Sequence, residues 1–268
     1  MEHKVELYHN TYRNYAEDLY KEIREETYGE DIGQTSWLTT DEYRIFFDIL
    51  KLSPNLKVLE VASGSGGPAV FMVKETGCQL VGIDINENGI QNAKHLASEN
   101  GLDGKIEFSL ADASEQLPFP DESFDIIVSI DSINHFRSRD KVFSEFKRIL
   151  KKGGRLLFTD AVVITGILTN EEIAIRSSLG FFLFVPKGEN ERLLNETGWK
   201  EISSTDVTEN IISISLKWHN AREKRKIDLL KFEDEAKFNG LQSFFRVTYL
   251  VSSEKRLSRF MYTAIKEE

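Results

Sequence analysis

The segment Glu60-Val61-Ala62-Ser63-Gly64-Ser65-Gly66-Gly67 is the part of this chain best equipped to hold a ligand. Glycine at 64, 66 and 67 lets backbone N–H groups approach a bound molecule with no Cβ in the way. Two further acids follow, Asp84 in Gly82-Ile83-Asp84 and Asp112 in Ala111-Asp112-Ala113. Asp84 can accept both hydroxyl protons of a ribose, and Asp112 the exocyclic amine of an adenine. Two ligand classes compete for the site. Gly64-Ser65-Gly66-Gly67-Pro68-Ala69 satisfies the dinucleotide pattern G-x-G-x-x-A, with Asp84 about twenty residues on, as NAD binding asks. Against it stand Glu60, a carboxylate in an apolar run, and Pro68, placed where free helix N–H groups should hold a pyrophosphate. An acid after each of three successive strands suits a nucleoside without phosphate.

Those residues need a scaffold, and the pattern around them supplies one. Val58–Val61, Gln79–Asp84, Ile106–Leu110, Phe124–Ser129 and Arg155–Thr159 read as short apolar strands. Helical stretches at Ala69–Glu75, Asn88–Asn100 and Lys141–Leu150 separate them, which predicts a mostly parallel sheet covered on both faces. In such sheets ligands bind at the carboxyl ends of the strands, where the glycine turn and the acids fall. Before the sheet, Tyr8, Tyr12, Tyr15, Leu19, Tyr20 and Ile23 recur at helical spacing as a packing stripe, and Thr39 or Thr40 can cap a helix through Phe46–Leu50. After it, helices are expected at Asn170–Leu179 and Glu189–Thr197, and a long charged one at Trp218–Phe238. Strands are expected at Trp199–Val207 and Arg259–Ile265. Arg222-Glu223-Lys224-Arg225-Lys226 reads as a solvated helix face, and Phe181–Val185 as core or pocket wall.

In order along the chain, Val58–Gly66, Gly82-Ile83-Asp84, Asp112-Ala113, Phe124–Ser129 and Leu150–Leu156 resemble the motifs of the class I S-adenosylmethionine-dependent methyltransferases. The resemblance runs from about Gln34 to Asp160 and more loosely to the end. It implies an α/β fold: a doubly wound, Rossmann-like, mostly parallel seven-stranded sheet. An N-terminal helical lid would span 1–50 and the methyltransferase domain 51–268, with lid insertions at about 161–198 and 210–250. The family usually has glycine at the position of Ala62, and a methyl there is tolerated if φ stays negative. Within the family, the chain is most similar to small-molecule amine enzymes such as sarcosine/dimethylglycine and phosphoethanolamine methyltransferases. Gln34, Ser36 and Trp37 resemble their segment that closes over the cofactor. Cofactor contacts are implied for these three and for Glu60, Ala62, Gly64, Gly66, Asp84, Ile85, Asp112, Ala113, Ser129 and Ile130. Ser129–His135 resembles the stretch where an aspartate touches the acceptor amine and a histidine pairs with an N-terminal tyrosine. Asp131 and His135 fill those positions, with Tyr15 the matching tyrosine and Tyr12 second.

The whole chain sets the remaining bounds. Among its 268 residues, 34 Lys+Arg against 44 Asp+Glu give a net charge of −10, which opposes phosphate backbones and disfavours nucleic-acid partners. Cys78 is the single cysteine, so no internal disulfide and no oxidising compartment are required. The apolar stretch Leu156–Leu168 is interrupted by Asp160 and falls short of the ~20 residues of a membrane span. With no apolar leader at the start, a cytoplasmic protein is expected. His3, His9, His95 and His219 form no metal-ligand spacing, so no metal is expected.

The alternatives are an O- or C-methyltransferase of a polyketide-, quinone- or sterol-like acceptor and a non-catalytic S-adenosylmethionine-binding protein. Ala161 follows Thr159-Asp160 where phosphoethanolamine enzymes usually have a phosphate-holding tyrosine, and Arg176 has no assigned facing. The expected partner is therefore a small-molecule acceptor with an apolar body and an amine or hydroxyl near Asp131, and not a phosphobase. Oligomeric state is not readable from these features.

Overall fold

The computed structural model describes residues 17–267. Its centre is built from the runs that read as strands: β1 (Lys57–Val61), β2 (Gln79–Asp84), β3 (Ile106–Leu110), β4 (Phe124–Ser129) and β5 (Leu150–Ile164). They lie in the order β3-β2-β1-β4-β5, all parallel. β8 (Leu257–Ile265) pairs antiparallel with β5, and β7 (Lys200–Asp206) antiparallel with β8. This seven-strand path matches the expectation. An eighth strand, the two-residue β6 (Val185–Pro186), pairs with the far end of β5.

Helices cover both faces. On one face lie α3 (Gly67–Thr76), α4 (Glu87–Glu99) and α2 (Thr40–Leu50); on the other lie α5 (Arg139–Ile149) and α7 (Glu189–Glu196). Thr39 caps α2, its hydroxyl accepting from Glu42 N at 3.2 Å. Tyr43, Phe46, Phe47 and Leu50 of α2 share one buried cluster with Val58, Met72 and Phe108. One face of residues 40–50, within the stretch that the sequence reading gives to the lid, thus packs into the core. The opposite cluster packs Phe143, Phe146, Phe158 and Trp199. Each such side chain, fully buried, contributes roughly 1.5–3 kcal/mol.

A second helical layer stands over the carboxyl ends of the strands. It comprises α1 (Asp18–Tyr28), α6 (Asn170–Arg176), α8 (Thr208–Lys224), α9 (Lys226–Leu229) and α10 (Glu235–Ser253). The single long helix expected over Trp218–Phe238 is not formed. α8 begins ten residues earlier at Thr208, the chain reverses through α9, and Asp234 caps α10 by accepting from Lys237 N at 2.7 Å. The reversal closes over a buried ion pair. Arg222, 2% exposed, pairs with Glu233 and lies over the Phe238 ring, so it is not on a solvated face. The outer charges of the same run behave as expected: Lys224 and Arg225 pair at the surface with Glu26 of α1.

Candidate active site

β1 passes directly into the glycine turn, and the turn into α3, whose first turn carries Pro68. Gly67 is required by a close approach: a Cβ there would stand 2.0 Å from Ile32 O of the N-terminal segment. Ala62 has φ +62, a correction to the negative φ expected. Glycine is usual in the family for a reason this conformation makes plain, since a Cβ in the left-handed region costs about 1–2 kcal/mol. Asp84, at the end of β2, accepts from Gly64 N at 2.9 Å and from Asn86 N at 2.8 Å. These two bonds bind the glycine turn to the second strand and aim the carboxylate across the sheet edge.

A cavity of about 1510 Å³ opens along that edge and runs beneath the helical layer. Pockets for one small ligand are typically about 300–1,000 Å³, so this one has room for two. Of the sequence-assigned cofactor residues, Ser36, Trp37, Glu60, Ala62, Gly64, Asp84, Ile85, Asp112, Ala113 and Ile130 border it. Three do not. Gln34 is buried and serves its own loop, its side chain accepting from Ile32 N and donating to Glu30 O. Gly66 faces Ala93 and Phe108, and Ser129 bonds to Ser132. Tyr15, with Tyr8 and Tyr12, lies outside the described residues.

The acids differ in their state. Glu60 is 3% exposed; its Oε1 accepts from Tyr43 Oη at 3.3 Å, while Oε2 has no hydrogen-bond partner among the described residues. Burial pushes its carboxyl up to about 8. Burial also raises Asp84, opposed by the backbone donors of Asn86 and Gly64. Asp112 is exposed at the rim, its Oδ1 accepting from Ser114 N at 2.8 Å.

Asp131 borders the same cavity. Its side chain is only 5% exposed and is engaged within the protein. Oδ1 accepts from Arg259 Nε at 2.8 Å and from Thr159 Oγ1 at 2.7 Å; Oδ2 accepts from Trp37 N at 2.9 Å. His135 borders the cavity four residues on. The carbonyl of Phe181 lies 2.8 Å from Nδ1, which therefore carries the proton and leaves the lone pair of the neutral ring on Nε2, with Asn134 Nδ2 3.4 Å from it. Burial holds this imidazole below the usual histidine range, and the Arg176 cation acts in the same sense.

Sequence reasoning did not place Arg176. It is 2% exposed on the cavity wall, with its Cζ 4.7 Å from the Phe244 ring, 5.0 Å from Phe182 and 5.7 Å from Trp37. Phe181 and Phe182 are pocket wall, while Val185 enters the core. No cluster of three His, Cys, Asp or Glu side chains suited to a metal ion occurs among the described residues.

The orphaned Glu60 oxygen and the exposed Asp112 carboxylate, with Pro68 in the first turn of α3, fit a nucleoside that carries a cationic tail. Comparison with known proteins agrees. Residues 52–182 match the family model described as "Methyltransferase domain". The chain is 30% identical to phosphoethanolamine N-methyltransferase 3 of Arabidopsis thaliana over 77% of this chain and 41% of that protein. It is 26% identical to 27-O-demethylrifamycin SV methyltransferase of Amycolatopsis mediterranei over 94% of this chain and 95% of the relative. It spans about half the length of most of the curated relatives it matches. Phosphoethanolamine N-methyltransferase 2 of Haemonchus contortus, in complex with phosphomonomethylethanolamine and S-adenosylhomocysteine, has the same fold, with TM-score 0.80 and 22% identity over 97% of this chain and 60% of that one. Sheet order, the acids at the strand ends and the match over residues 52–182 together identify those residues as a methyltransferase domain, similar to the class I S-adenosylmethionine-dependent methyltransferases.

Proposed function

We propose that this protein transfers a methyl group from S-adenosylmethionine to an amine or hydroxyl of a small molecule with a largely apolar body. The observation that carries the reading is the line of acids, Glu60, Asp84 and Asp112, along a cavity that continues past them to His135. Asp84 would hold the ribose hydroxyls through the lone pairs that Gly64 and Asn86 leave open, and Asp112 the adenine amine. Glu60 Oε2 would take the ammonium of the amino-acid tail; Ala62, Ile85, Ala113 and Ile130 would line its bed. The cofactor supplies a methyl already activated on a sulfonium, so alignment and exclusion of water are the main demands on the protein, and alignment can be worth ~7–11 kcal/mol.

The residues of the chain meet those demands in separate ways. Trp37, Phe182 and Phe244 form an aromatic wall against which an apolar acceptor body can lie flat. His135, neutral at physiological pH, can accept at Nε2 the proton that the nucleophilic nitrogen or oxygen must lose. Arg176 packs its guanidinium against Phe182 and Phe244 of this wall, which keeps the preference for an acceptor with an apolar body. The segment before α2, with α1 and α8–α10, would act as the lid over both ligands. The free, buried thiol of Cys78 is compatible with the cytoplasm, where we place the protein.

Incubation with methyl-labelled S-adenosylmethionine and a panel of amine, phenol and alcohol acceptors, read by product mass, tests the proposal. Tight binding of S-adenosylhomocysteine with no transfer to any such acceptor would overturn the activity and leave a cofactor-binding protein.

A further inference from the structure

The engagement of Asp131 gives it a different task from the one its position in the chain implied. Its backbone has φ +50, a left-handed conformation that aspartate tolerates better than most residues. That conformation is held from below: Asp131 N donates to Thr159 Oγ1 at 2.8 Å, and the same hydroxyl donates back to Asp131 Oδ1. Arg259 of β8, fully buried, bridges two acids. Its Nε donates to Asp131 and its Nη1 donates to Glu42 Oε1 at 2.6 Å. Glu42 stands in the first turn of α2, five residues after Trp37. A closed circuit results: Trp37 N to Asp131, Asp131 to Arg259, Arg259 to Glu42, and back along the chain to Trp37. Tyr28 of α1 holds the same segment from the other side, its hydroxyl donating to Ser36 O at 2.7 Å. Beyond the circuit, the Trp37 ring stacks on Phe244 of α10, 6.2 Å between centroids.

We propose that Arg259 and Asp131 are positioning residues that latch the Ser36–Trp37 segment onto the sheet edge, so that Trp37 roofs the cavity where cofactor and acceptor meet. Of the circuit, Trp37 and Asp131 border the cavity, while Arg259, Thr159 and Glu42 do not line it. Arg259 therefore acts on any ligand only through the segment it holds. A charge buried with a single guanidinium between two carboxylates is costly unless geometry is good, and here each partner bond is within 2.6–2.8 Å. The effect of the latch on turnover rests on the methyltransferase reading; the latch itself does not.

Amide exchange separates the two. In protein without ligand, Asp131→Asn and Arg259→Gln should each speed exchange at Trp37 N by about tenfold or more, while core amides of β1 and β4 keep their protection. Arg259→Lys, which keeps the charge, should restore part of that protection. Both disruptive variants should also weaken S-adenosylhomocysteine binding by a similar factor. Thr159→Val, which deletes only the hydroxyl under Asp131, gives the same readout in milder form where Arg259→Gln does not fold. Unchanged exchange at Trp37 in the folded variants would overturn the latch. So would a loss of turnover in Asp131→Asn that Arg259→Gln and Thr159→Val do not share, because that pattern means direct contact with the acceptor. Faster Trp37 exchange in the variants, in a protein whose wild type fails to bind S-adenosylhomocysteine, would uphold the latch and sink the methyltransferase reading instead.

Discussion

The carboxyl edge of the sheet and the helical layer above it handle charge in opposite ways. At the edge, Glu60, Asp84 and Asp112 accept from a tyrosine hydroxyl or from backbone N–H groups, and among the described residues no cation pairs any of them. In the helical layer, buried cations meet their own counter-ions: Arg24 with Asp31, Arg222 with Glu233. These three acids keep acceptor capacity for something that is not protein, whereas the two helical pairs spend their charge on the architecture of the layer. A buried ionisable group with spare capacity at a cleft is a candidate for binding; one fully paired inside a helical layer is a candidate for stability.

The most severe test is applied to the layer. Arg222→Leu strands Glu233 in the interior, and breaking a buried pair in this way costs about 3–5 kcal/mol. Chemical denaturation should show a loss of that size, with α8 and α10 losing exchange protection first. A loss below about 1 kcal/mol would mean that the pair is dispensable and the contrast with the edge false.

Next is Glu60, where the sign of the pH effect is opposite to that of an ordinary paired carboxylate. Its folded value near 8 exceeds that of an unfolded glutamate, 4.5, so between these limits the folded state binds more protons. Stability in the absence of ligand should therefore fall as pH rises through this window, by up to about 1.4 kcal/mol per pH unit. Glu60→Gln cannot titrate and should flatten the decline; thermal melts from pH 5 to 8 on both proteins check this. Equal slopes would show that Glu60 is not the buried acid described here.

Asp84→Ala should damage binding more than folding. Hydrogen bonds to a charged group are worth roughly 1.5–3 kcal/mol, and one is at stake for each ribose hydroxyl. Calorimetry with S-adenosylhomocysteine should show affinity at least about tenfold weaker. Preserved affinity in the folded variant would remove Asp84 from the cofactor bed and leave it as a tie between β2 and the glycine turn.

The smallest effect is expected at Ala62. Glycine relieves the left-handed φ but adds freedom to the unfolded chain, at a cost near 0.5–1 kcal/mol. Ala62→Gly should stabilise the fold by no more than about 1 kcal/mol, measured by denaturant titration. Destabilisation would show that the alanine methyl has a packing role that outweighs its strain.

What could be read before the fold was seen, and what could not, divides along the same line. β1 to β4 were placed within a residue because each is a short apolar run between turn residues, a signal carried by neighbours in the chain. Asp84 and Asp112 were legible for the same reason: a residue at the end of a strand reaches the binding edge whatever the rest of the chain does. Arg222 was not legible. In the run Arg222–Lys226 it has the composition of its exposed neighbours, and only the reversal before α10 brings Glu233 to it. Arg176 was equally silent, since a short helix after the sheet can turn any face to the cavity.

Asp131 shows the limit most clearly. The family resemblance located it at the cavity edge, where it stands, yet its partners come from residues 37, 159 and 259, far apart in the chain. The chain alone determined a parallel α/β sheet and the edge at which a nucleoside can be held, because period, turn and strand end are local properties. Only the tertiary structure decided which charges are consumed by the protein and which are left for a ligand. Compensation of a buried charge depends on groups within a few ångströms in space, whatever their separation in sequence.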